Sequence, residues 1–135
     1  MFAYATVGST DFDVSLKFFD AIMQVLGYTR TQQYLEEGWV AYGSPKDLAS
    51  PSSPLLWICK KPYNGQPATV GNGSMVSFAA KTRSQVDDFY AKALVNGGSS
   101  EGPPGTREAY GPDLYLAYVR DPMGNKFSVS TRSPT

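Results

Sequence analysis

Phe2-Ala-Tyr-Ala-Thr-Val-Gly8 followed by Ser9-Thr-Asp-Phe-Asp-Val-Ser-Leu-Lys-Phe-Phe-Asp-Ala-Ile-Met-Gln-Val-Leu-Gly27 is the stretch on which the fold turns. The first seven residues set aromatic and β-branched side chains among two alanines and stop at glycine, which predicts a strand. From Phe12 the apolar positions Leu16, Phe19, Ile22, Met23 and Leu26 recur every three or four residues, and Gly27 stands where a helix C-cap belongs. The spacing predicts a helix over 12–26. Tyr28–Tyr34, Gly38–Gly43 and Leu55–Lys60 then read as short strands, separated by Glu36-Glu37-Gly38 and by a Pro/Ser-rich loop at Ser44–Pro54.

Lys61 to Gly73 has no sustained period and reads as a connection. The order then restarts. Ser74–Ala80 is a strand, Thr82 with Gln85 is a capping box, and Val86, Phe89, Tyr90, Ala93 and Leu94 stripe a second helix that ends at Asn96-Gly97-Gly98. Gly102-Pro-Pro-Gly105 reads as a loop and Leu114–Val119 as a strand, while Asp121-Pro-Met-Gly-Asn125 turns into a last strand at Lys126–Ser130. Tyr4 and Met75 hold matching places 71 positions apart, and Phe18-Phe19 matches Phe89-Tyr90 at that offset. The expected fold is α+β: one domain over 1–135 made of two βαβββ modules, roughly 1–60 and 74–135. Their strands form an open cupped mixed sheet with both helices on the convex face.

The 135 residues are 41% hydrophobic and 13% aromatic, enough for one core. Twelve Lys plus Arg balance twelve Asp plus Glu, so the cationic surplus that nucleic acid or an anionic membrane demands is missing. No apolar run reaches the ~20 residues of a membrane span. One cysteine and no recognisable signal segment fit a cytoplasmic protein. The chain has no histidine, which removes Ser-His and Cys-His nucleophile pairs and His-ligated metals. Asp11-Phe-Asp13 lacks the glycine of a calcium loop, and Gly71-Asn-Gly73 precedes a strand rather than a helix, so neither a calcium nor a dinucleotide site is expected. Glu36-Glu37 and Asp87-Asp88 are adjacent pairs whose side chains diverge, which suits solvated turns better than acid-base work. Cys59, without a histidine beside it, reads as a packed strand thiol.

Aromatic and cationic residues are the stronger signal. Trp39, Tyr42, Trp57, Tyr110, Tyr115 and Tyr118 lie on expected strands or their flanks, where rings with polar tips suit a small-molecule cleft. Core or dimer packing is the competing reading. Arg107 can clamp a carboxylate or phosphate, with a surface ion pair to Glu108 or Asp113 as the alternative.

The run Tyr4 to Asp20, the pair Phe78-Ala-Ala80 before Val86-Asp-Asp-Phe-Tyr90, and Arg107-Glu-Ala-Tyr110 with Tyr118-Val-Arg-Asp121-Pro-Met-Gly124-Asn125 resemble the glyoxalase/bleomycin-resistance/extradiol-dioxygenase superfamily, the vicinal oxygen chelate proteins. The resemblance implies paired modules, a homodimer, and a divalent metal held in the cup by His and Glu. At the matching positions this chain has Tyr4, Met75 and Ser128, with no acidic residue or histidine around Leu55–Trp57, so no metal and no cofactor are expected. The expected partner is a small organic molecule held by Tyr4, Trp39, Tyr42, Trp57, Met75, Arg107, Tyr110, Tyr118 and Ser128. The alternative is a lyase- or isomerase-like enzyme acting on a small carbonyl or thioester substrate, with Tyr4 or Tyr110 as proton donor and Arg107 holding an anion.

Overall fold

Asp11 opens the first helix: its side chain accepts from the Val14 N–H at 3.3 Å, and Gly27, at a φ of 84°, releases the chain at the other end. The computed structural model describes residues 1–48 and 54–135, so residues 49–53 of the expected Ser44–Pro54 loop lie outside the described residues. Its elements are β1 (Tyr4–Gly8), α1 (Phe12–Val25), β2 (Thr29–Tyr34), β3 (Trp39–Gly43), β4 (Leu55–Cys59), β5 (Val76–Ala79), α2 (Arg83–Val95), β6 (Ser99–Thr106), β7 (Tyr115–Arg120) and β8 (Lys126–Thr131). Two short 3-10 turns, Pro45–Asp47 and Glu108–Tyr110, interrupt the connections. The α2 start behaves as its sequence suggests. Thr82 Oγ1 accepts from Gln85 N–H at 3.1 Å, and Gln85 Oε1 reaches back to the Lys81 N–H at 2.8 Å.

The strands form two four-stranded mixed sheets, β1-β4-β3-β2 and β5-β8-β7-β6, each a strand-helix-three-strand module. In both, the first strand pairs parallel to the last and the remaining pairs are antiparallel. Among the described residues no ladder joins the two sheets, and β1 and β5 are edge strands. Alternation sorts the faces. Val7, Val40, Tyr42, Leu56 and Ile58 from the first sheet join Ala117, Val119, Phe127 and Val129 from the second in one buried cluster with both helices. Trp39, Ala41, Trp57, Ser77, Tyr118 and Ser128 have the opposite parity and form the cup faces.

Phe19 of α1 ties the modules together. Its ring lies 6.2 Å from Tyr42 of β3 and 5.5 Å from Phe127 of β8, and Phe127 stacks on Phe78 at 5.6 Å. Gly98 lets α2 come close behind: a Cβ there would stand 2.7 Å from the Arg120 carbonyl and 2.8 Å from Phe18 Cε2.

One expected loop is a strand. Gly102–Gly105 belongs to β6, whose ladder skips between Gly102↔Tyr118 and Gly105↔Leu116. Pro103 and Pro104 occupy that irregularity on an edge strand, where the missing N–H breaks no ladder bond.

Candidate functional site

The facing edges of β1 and β5 border a cleft of about 550 Å³. Tyr4, Leu55, Met75 and Ser77 reach it from the cup side, while Met23 and Tyr42 contribute from the core side. Phe2, Tyr4 and Met75 are 71%, 62% and 46% exposed, so the rim of the cleft is apolar and uncovered in the single chain. Ser128, buried on β8, donates from its hydroxyl to Ser77 Oγ at 2.6 Å, which brings it to the cleft wall.

Tyr4 and Met75 therefore line one cleft, with Ser128 one hydrogen bond behind its wall, and their chemistry does not suit a metal. A phenol, a thioether and a hydroxyl already spent on another serine are poor ligands for Zn, Ni, Mn or Fe(II). Among the described residues no three His, Cys, Asp or Glu side chains come together. The sequence of 49–53, Ala-Ser-Pro-Ser-Ser, contains none of those residue types. The metal implied by the resemblance does not fit these residues.

The remaining nominated residues fall into two further groups. On the first sheet Trp57 has Tyr34 stacked on it at 6.4 Å and Trp39 edge-on at 6.1 Å. Trp57 pairs in register with Thr6 on one side and Ala41 on the other, small neighbours that leave the indole standing on the cup face. Tyr34 was not among the nominated residues. Its signal lay in the hairpin: a turn at Glu36-Glu37-Gly38 sets Tyr34 opposite Trp39. On the second sheet Arg107 and Lys126 both lie against the Tyr118 ring. Burial and the nearby Tyr110 push its phenol pKa up. Among the described residues Arg107 has no ion pair with Glu108 or Asp113. Tyr110 is 56% exposed on the turn after Arg107.

Tyr42 differs from the other nominated aromatics. It is 2% exposed on the helix face, with its hydroxyl 2.7 Å from Asp20 Oδ1 and 3.3 Å from the Leu16 carbonyl. Asp20 in turn holds Arg30 bidentately at 2.8 and 2.7 Å. Burial, and then Asp20, raise the Tyr42 pKa far above the ordinary phenol value. A raised folded value means that this phenol's contribution is complete below the unfolded pKa of about 10 and is lost as pH climbs beyond it. Tyr42→Phe is therefore expected to cost about 1–1.5 kcal/mol near neutral pH. The deficit should shrink above pH ~10, where the wild type loses the linkage contribution. Urea midpoints of both proteins between neutral and alkaline pH check this. Tyr115 is also turned away from the cup, donating to Asp87 of α2 at 2.7 Å. Cys59 is buried and burial raises its thiol pKa, so it is not poised as a nucleophile.

Neither a scan of family models nor a search of curated proteins gives a match to this chain. Solved structures do match. A glyoxalase/bleomycin resistance protein from Albidiferax ferrireducens T118 is 41% identical, over 96% of this chain and 97% of that one, with a TM-score of 0.81. A glyoxalase-related enzyme from Fulvimarina pelagi (15% identity, 96% of this chain and 86% of that one, TM-score 0.71) and lactoylglutathione lyase from Agrobacterium tumefaciens (18%, 96% and 92%, 0.62) share the fold. No helix among the described residues is long and apolar enough to cross a membrane.

Proposed function

Because the chain belongs to the glyoxalase/bleomycin-resistance protein family, we propose that it binds a small organic molecule on its aromatic cup faces, without a metal. The observation that carries this reading is the content of the cleft. Where a metal-dependent relative would need convergent ligands, this chain offers Tyr4, Met75, and Ser128 hydrogen-bonded to Ser77. Binding asks for buried apolar area and a few polar groups, and the cleft with its flanking Trp57 cluster supplies both. Catalysis asks in addition for a base, and the buried Cys59 and the core-bound Tyr42 do not supply one.

A second copy is the natural cover for the rim formed by Phe2, Tyr4 and Met75, since exposed apolar edges favour closed two-fold pairing. The proposal thus includes a homodimer, and a cytoplasmic setting consistent with the single thiol. Sedimentation as a monomer at micromolar concentration would remove the dimer from it.

Both tryptophans of the chain, Trp39 and Trp57, lie in the aromatic cluster, so intrinsic fluorescence reads the cup directly. Titrating small aromatic compounds into chelator-treated protein should quench or shift that emission saturably, and Trp57→Ala should abolish the response. Emission that responds only after Zn, Ni, Mn or Fe(II) is added would overturn metal independence. Chelator alone should leave the melting temperature unchanged, because a structural metal would contribute several kcal/mol to folding.

A further inference from the structure

Arg107 is the one nominated cation, and the structure adds a second beside it. Arg107 Cζ lies 5.9 Å from the centroid of the Tyr118 ring, and Lys126 Nζ lies 5.2 Å from the same centroid. All three residues are half-buried. The guanidinium is held by backbone: Nη2 donates to the Pro103 carbonyl at 2.8 Å and Nη1 to the Thr106 carbonyl at 3.3 Å. Gly102 leaves the room for this, since a Cβ there would come 3.0 Å from Arg107 Nη2 and 3.1 Å from Tyr118 Cδ2. The irregular, proline-containing β6 thus has a use, as its kinked carbonyls orient the Arg107 fork.

Two cations against one ring attract the ring and repel each other. Among the described residues neither has a carboxylate in ion-pair contact; the neighbouring Glu101 is held by Arg120 at 2.5 Å and feels Lys126 only through space. An arginine has five N–H donors, so the two carbonyl contacts leave capacity for a planar acceptor. On the same sheet face, Ser128 pairs in register with Tyr118 and donates to Ser77 of the cleft wall. The cationic group is therefore contiguous with the cleft.

The geometry points to an anion subsite formed by Arg107, Lys126 and Tyr118, taking a carboxylate or phosphoryl group carried by the molecule in the cup. This rests on the small-molecule reading above and narrows it to an acid. The Tyr118 ring, whose negative face attracts cations, holds Arg107 and Lys126 side by side, and the two neutralise the charge of the bound group in a partly desolvated place, where such contacts are stronger than in water.

The test is a titration of isotope-labelled, chelator-treated full-length protein with benzoate, phenyl phosphate and the neutral benzamide, followed by the amide signals of Gly102, Tyr118 and Ser128 and the Arg107 Nε–H signal. The anions should move these signals saturably. Arg107→Gln and Lys126→Gln, each at a half-buried position outside the core, should each weaken the anion response about tenfold. Earlier saturation by benzoate marks a carboxylate site, and earlier saturation by phenyl phosphate marks a phosphoryl site. Benzamide that moves the same signals with equal affinity, or anion responses that survive both substitutions, would overturn the subsite. If benzamide perturbs only the Trp39 and Trp57 cluster and neither anion moves Tyr118, the subsite is wrong and the cup reading stands. If none of the three perturbs either cup face, both are wrong.

Discussion

Phe19→Ala is expected to lower the unfolding free energy by about 3–5 kcal/mol, the cost typical of emptying a fully buried phenylalanine site. The position is 0% exposed and its ring meets Phe18 at 5.1 Å, Tyr42 at 6.2 Å and Phe127 at 5.5 Å. Those partners come from α1, β3 and β8, so the cavity opens between the modules and neither can close it alone. For a chain of this size the melting temperature should fall on the order of 10–20 °C. Phe19→Leu keeps most of the volume and should cost less than half as much. Urea unfolding followed by circular dichroism measures both. A loss under about 1 kcal/mol for the alanine variant would mean that each module has its own core.

The second large effect is expected at the turn before the last strand. Asp121 is 3% exposed, and its Oδ1 accepts from the N–H groups of Met123 at 3.0 Å and Asn125 at 2.8 Å, while Oδ2 accepts from Asn125 Nδ2 at 2.9 Å. Asn125 Nδ2 also donates to the Gly8 carbonyl at 3.2 Å, which fastens this turn to the end of β1 in the other module. Asp121→Ala strips the acceptor from three N–H donors at once. At about 1–3 kcal/mol for a buried unpaired donor, with partial relief by water, the variant should lose about 2–4 kcal/mol. Asp121→Asn keeps one acceptor oxygen and should recover part of that loss. Equal stability of the wild type and the alanine variant by thermal unfolding would show that the turn is held by something else.

Both residues were visible in the sequence for different reasons. Phe19 belongs to a stripe of three- and four-residue spacing, which fixes a helix and its buried side whatever it packs on. Asp121 sits in a turn signature whose Pro, Gly and Asn have separate backbone duties. The strand count of the second module was less legible. Ser99–Thr106 carries two prolines and no alternating apolar pattern, because an edge strand held to a single neighbour tolerates the first and does not need the second.

The site was partly legible for a geometric reason. Trp39 and Tyr42 have opposite parity on β3, so both could not face the cup, yet ring chemistry alone does not say which one turns inward. The deciding contact is Asp20 on α1, 22 positions away from Tyr42. Lys126 and Ser77 escaped notice because each is unremarkable in its own segment. Their meaning comes from register, Ser77 opposite Ser128 and Lys126 beside Tyr118, which only the assembled sheet supplies. Tyr4 and Met75 hold equivalent positions of the repeated module and keep its 71-residue offset, whereas Ser128 is singled out only by the resemblance to the superfamily.

The central claim, that this family member takes its ligand without a metal, is tested most directly by a thermal-shift screen of chelator-treated protein against small organic acids and neutral aromatics. A ligand at a hundred times its Kd stabilises by about 2.7 kcal/mol, which is several degrees for this chain. The account predicts such shifts in the chelated protein, larger for acids than for their amides, and lost in Trp57→Ala. A chelated protein that no compound stabilises, but whose melting temperature rises and whose ligand binding appears once one equivalent of a divalent transition metal is added, would contradict it.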